Sequence, residues 1–94
     1  MESTFLSEFT KSGVAVTNSL GVANVIFKKQ MPYGLSYSVI LTCKDPGVAT
    51  IAYPSNETQT GFTITTKDTV TGGGGYQIRA SVMVYWLVLP QENS

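Results

Sequence analysis

Ninety-four residues allow one domain with a thin hydrophobic core and exclude a multidomain chain. A hydrophobic share of 43% excludes disorder through lack of apolar surface, while charged residues reach only 13%, about half the usual share of roughly 25%. Six basic against six acidic residues give a net charge of zero, and no Lys/Arg run exceeds Lys28-Lys29, so no basic stripe for nucleic acid is visible.

Threonine and serine stand where charges usually do, 12 and 9 of them, which suits strands and surfaces that pack against other subunits. In chain order, Phe5-Leu6-Ser7-Glu8-Phe9 is compatible with one helical turn capped by Ser3 or Thr4. Gly13 to Thr17 reads as a first strand closed by Asn18-Ser19. Val22 to Lys28 reads as a second, with Ala23, Val25 and Phe27 on one face. Gln30-Met31-Pro32-Tyr33-Gly34 is a loop, punctuated by proline and glycine. Tyr37 to Cys43 is apolar on both faces, as expected of a central strand, and Lys44-Asp45-Pro46-Gly47 is a strong turn signal.

Val48 to Tyr53 reads as the fourth strand, Pro54 to Thr58 as a turn, and Gly61 to Thr66 as the fifth strand with Phe62 and Ile64 inward. Gly72 to Gly75 reads as a flexible hairpin loop, because no helix and no Lys-Ser/Thr pair follows as a phosphate loop requires. Gln77 to Leu89 reads as one long sixth strand, with Val82, Val84, Trp86 and Val88 on one face and Met83, Tyr85, Leu87 and Leu89 on the other. The spacing predicts an all-β, six-stranded antiparallel β-sandwich over residues 13–90, with an N-terminal arm at 1–12 and a polar tail at 91–94.

Little in the chain carries chemistry. It holds no histidine, which removes the commonest general base and most zinc sites. The acids Glu2, Glu8, Asp45, Glu57, Asp68 and Glu92 all fall in predicted termini or turns, and no pair is set for glycosidase work. Cys43, the only cysteine, lies in an apolar run and reads as a buried thiol. Asn56-Glu57-Thr58 matches a glycosylation acceptor but reads as turn chemistry, since the start Met1-Glu2-Ser3-Thr4 carries no secretion pattern. No apolar stretch is long enough to span a bilayer as a helix. The expectation is a protein without catalytic residues, metal or cofactor, made in a cytoplasm.

Gly21-Val22-Ala23-Asn24-Val25-Ile26-Phe27 followed by Tyr37 to Thr42 resembles the opening of many phage tail-fibre C-terminal domains. Ser55 to Ile64, ending Gly61-Phe62-Thr63-Ile64, is similar to their "N-x-T-x-x-G-F-T" segment, and Ala80 to Leu89 resembles their closing tryptophan strand. The closing residues here are Trp86-Leu87-Val88-Leu89-Pro90 where that family reads Trp-x-Ala-Ile-Gly. The resemblance covers residues 13–90 and implies an H-type-lectin-like sandwich that associates as a homotrimer, some relatives binding sugars.

Two functions remain open on these residues. One is a structural protein on a tailed-phage virion, as capsid decoration or tail appendage, partnered by itself and by other virion proteins. The seam residues are then Met83, Tyr85, Trp86, Leu87 and Leu89, because both faces of the last strand are apolar. The other is a tail-fibre knob recognising a host-surface carbohydrate, with Tyr33, Tyr53 and Tyr76 as candidate contacts.

Overall fold

Segments rich in β-branched and aromatic residues favour extended backbone, and the computed structural model, which describes residues 9–44, 50–69 and 75–91, is built from them. Seven strands form: β1 (Lys11–Val16), β2 (Val22–Ile26), β3 (Tyr37–Cys43), β4 (Thr50–Thr58), β5 (Gly61–Thr69), β6 (Tyr76–Ile78) and β7 (Met83–Pro90). No helix occurs among the described residues. One antiparallel sheet has the order β1-β7-β3, and the other runs β2-β5-β4 with β6 also paired to β5.

The inward sides of the two sheets meet in one cluster. Val84 and Val88 come from one sheet and Val25, Phe62 and Ile64 from the other, closed at one end by Phe9, Phe27 and Met31. Strand alternation puts them there, since successive side chains point to opposite faces. The expected inward positions Ala23, Val25, Phe27, Phe62, Ile64, Val82, Val84 and Val88 are all buried or packed on that core. Of the six side chains with almost no exposure two are threonines, so the apolar core is thin.

Three expectations require correction. Tyr37–Cys43 is an edge strand rather than a central one; the centre of its sheet is β7, which needs apolar cover on one face only. The segment Pro54–Thr58 does not turn the chain. β4 continues through it with a bulge between Ser55 and Thr58 that places Asn56 at φ 53°, and the turn falls at Gln59-Thr60. The Pro/Gly loop forms where expected, and within it Met31 is fully buried, its N–H bonded to the Gln59 carbonyl at 2.8 Å. The long sixth strand is two strands in different sheets, which makes seven strands instead of six. The helical turn expected before Phe9, the turn at Asp45-Pro46-Gly47, Val48 and Ala49, the glycines at 72–74 and the tail at 92–94 lie outside the described residues.

The break between β6 and β7 has a specific cause. β2 and β6 lie end to end along the same side of β5, and Thr66 sits at the gap: its N–H donates to the Gly21 carbonyl and its carbonyl accepts from Arg79. Ser81, at φ 59°, then turns the chain across to the other sheet. The crossing is held by two buried hydroxyls. Thr17 Oγ1 accepts from the Val82 N–H at 2.9 Å, Thr66 Oγ1 donates to the Arg79 carbonyl at 2.7 Å, and the two oxygens lie 3.0 Å apart. Each hydroxyl carries one proton. With the Thr66 proton committed to Arg79, the Thr17 proton joins the two oxygens and every group in the chain is satisfied.

Candidate functional site

Two surface features are built by the fold. The first is the outer face of the β1-β7-β3 sheet. Register sets Val14 and Thr42 either side of Tyr85, and Ser12 and Ile40 either side of Leu87. Val16 lies beside Met83 and Ser38 beside Leu89 at the two ends. Val14 (53%), Val16 (55%), Ile40 (48%), Tyr85 (42%), Met83 (39%) and Leu89 (36%) are all substantially exposed. No charged side chain occupies this face within the three strands; Lys44 stands at its margin, its N–H bonded to the Met83 carbonyl. Six exposed apolar side chains amount to roughly 500 Å², at the upper end of what a monomer shows to water.

Met83, Tyr85, Leu87 and Leu89 therefore share this face. Trp86, grouped with them in the sequence reading, does not: period two puts it with Val84 and Val88, and its indole packs inward. Ring centroids of Phe62 and Phe27 lie 5.6 Å and 6.3 Å from it. Its other neighbour is Gly13 in β1, where a Cβ would come within 2.6 Å of the indole Cζ2.

The second feature is a groove of 390 Å³ at the open edge between β1 and β2, lined by Lys11, Ser12, Ile26, Phe27, Lys28, Lys29 and Trp86. The Lys11 ammonium stands 5.3 Å from the Phe27 ring centre and 6.0 Å from that of Phe9, and Lys29 stands 5.2 Å from Phe9. The sequence shows Lys28-Lys29 as a bare pair; Lys11 joins them only because β1 and β2 border the same edge.

The three tyrosines do not converge. Tyr33 is almost wholly exposed in the β2–β3 loop, near the Gly61 end of β5. Tyr53 and Tyr76 lie on the outer face of the second sheet, on opposite sides of β5, opposite Thr65 and Thr69. Tyr53 carries Lys67 over its ring at 5.8 Å. None of the three lines the lysine groove, nor the clefts of 230 Å³ beside Asn24 and Asn56 and of 430 Å³ beside Tyr37 and Glu57.

Titratable groups serve structure. Asp68 and Glu57, expected in turns, lie in β5 and β4 because both strands run longer than expected. A hydrogen bond from Thr50 at 2.6 Å, then the Arg79 guanidinium at 3.0 Å, holds the Asp68 carboxyl below the usual carboxylate range. Burial, aided by the Glu57 charge, pushes the Tyr37 phenol up, and its hydroxyl lies 2.7 Å and 2.9 Å from the Thr58 and Gly61 carbonyls at the β4–β5 turn. Burial also raises the Cys43 thiol, the opposite of nucleophile activation. Among the described residues no group of three His, Cys, Asp or Glu side chains comes together. Set against known protein-family models, curated proteins and solved structures, the chain finds no match.

Proposed function

We propose that this chain is a non-enzymatic building block that associates with copies of itself, as a homotrimer, through the outer face of β1-β7-β3. The observation that carries this reading is the uncharged, apolar and hydroxyl-bearing character of that face, on a chain with so few charges. A neutral face of this kind is complementary to itself, because two copies meet without burying an unpaired charge. Three such faces around a three-fold axis would enclose one apolar core, each meeting two neighbours. The setting proposed is the surface of a tailed-phage particle, as decoration or tail appendage; the Gly61-Phe62-Thr63-Ile64 segment and the closing strand around Trp86 support it by their resemblance to tail-fibre domains.

Light scattering on the purified protein at micromolar concentration tests the assembly. The expected mass is three times that of the 10.1 kDa chain. Tyr85→Glu, at the centre of the face, should return a folded monomer, whereas Ile51→Glu on the outer face of the other sheet should leave the trimer intact. A stable native monomer sinks the proposal. Density for the chain on the outside of a phage particle by cryo-EM checks the setting, and its occurrence only elsewhere refutes it.

A further inference from the structure

The groove between β1 and β2 collects hydrogen-bond donors. Lys11 enters it from an inward-facing position at the start of β1, with its ammonium over the Phe27 ring. Lys28 and Lys29 follow directly on β2. Lys11 and Lys29 both stand over the Phe9 ring, so their nitrogens are no further apart than the two ring distances together. Among the described residues none of these lysines has an ion pair; the one ion pair there joins Arg79 to Asp68. Among the described residues no carboxylate lines the groove.

Trp86 adds a fourth donor. Its Nε1 has no hydrogen-bond partner among the described residues, yet no buried side-chain nitrogen or oxygen there lacks one. The indole N–H is therefore not fully buried, and its edge lies against Gly13. The rings are already engaged with neighbours. Phe62 and Phe27 pack against the indole, and lysines stand over Phe27 and Phe9, an arrangement that favours a charged ligand over a stacked nucleobase or sugar face. What remains is three positive charges and an N–H around a space at the small end of ligand sites. An acceptor-rich anion without aromatic character fits this, and a tetrahedral oxyanion offers more acceptor directions than a carboxylate.

We propose that the β1–β2 groove binds a phosphate or sulfate group, free or carried on a sugar, through the Lys11, Lys28 and Lys29 ammonium groups and the Trp86 indole N–H. This site is independent of the outer face assigned to self-association.

Trp86 is the only tryptophan, so the chain has a single indole N–H resonance that reports from inside the site. Isotope-labelled protein is titrated with pyrophosphate, glucose 6-phosphate, glucose, and sodium chloride at matched ionic strength. The expected result is a saturable shift of the indole peak with a phosphate-bearing probe and none with glucose or chloride. Tighter binding of pyrophosphate marks a free anion as the ligand, and tighter binding of glucose 6-phosphate marks a sugar-borne one. The double substitution Lys11→Gln/Lys29→Gln should weaken binding about tenfold or more, and Lys67→Gln, remote from the groove, should change it less than about twofold. If the double variant loses its folded spectrum, Lys28→Gln alone should still weaken binding about threefold, because Lys28 is an exposed side chain. No shift beyond that in chloride, or equal affinity in the folded lysine variants, overturns the assignment.

Discussion

Gly13 and Trp86 face each other across β1 and β7, and the missing side chain of one makes room for the ring of the other. Glycine inside a strand costs roughly 0.5–1 kcal/mol in conformational entropy, so the fold here trades backbone stiffness for an indole lying against the strand. A Cβ at position 13 would lie 2.6 Å from Cζ2 and 2.8 Å from Cε2 of an indole already backed by Phe27 and Phe62. Gly13→Ala should therefore destabilise by about 1–3 kcal/mol in urea unfolding. Trp86→Phe removes the very atoms that collide. The double variant should be less destabilised than the two single effects combined, by more than about 0.5 kcal/mol. Strict additivity would mean that β1 moves away and the indole does not feel the methyl group.

At the level of elements, the crossing from β6 to β7 depends on partners far away in sequence. Thr17 closes β1, Thr66 lies in the middle of β5, and Val82 begins the return to the other sheet. Their hydroxyl chain ties the two sheets together at the gap where β6 ends and β2 begins. Thr66→Val keeps the shape and deletes the link, leaving the Arg79 carbonyl and the Thr17 proton without their partner. The expected loss is about 1–3 kcal/mol, the cost of buried polar groups left unsatisfied, with faster hydrogen exchange at the Val82 amide. A change within about 0.5 kcal/mol and an unchanged Val82 amide would show that the crossing holds without the hydroxyls.

For the whole molecule, a core in which threonines share the deepest positions leaves little margin, and chains near this length often gain burial by association. If the outer face of β1-β7-β3 is covered by other copies, unfolding must also dissociate them. The urea midpoint should then rise as protein concentration is raised about a hundredfold, following mass action. A midpoint that stays fixed over that range belongs to a monomer and contradicts self-association. The Tyr85→Glu variant should lose the concentration dependence while keeping the all-β spectrum, which separates loss of assembly from loss of fold.

The residue pattern alone determined which side chains look inward. Phe62 and Ile64, Val84 and Val88, and the outward Met83, Tyr85 and Leu89 all follow from the two-residue period of a strand, which is local geometry. The same period read on its own places Trp86 with Val84 and Val88, on the inner face. Tertiary structure decided the rest. The break at Ser81 carries no glycine, proline or asparagine to announce it, and exists because Thr17, Thr66 and Asn18 supply hydrogen-bond partners at that point. Met31 is buried in a segment that reads as surface loop because the β4–β5 turn folds over it. Lys11 stands beside Lys28 and Lys29 only through the adjacency of two edge strands from different sheets. Each of these depends on contacts between distant parts of the chain, and alternation carries no information about which strand becomes the neighbour of which.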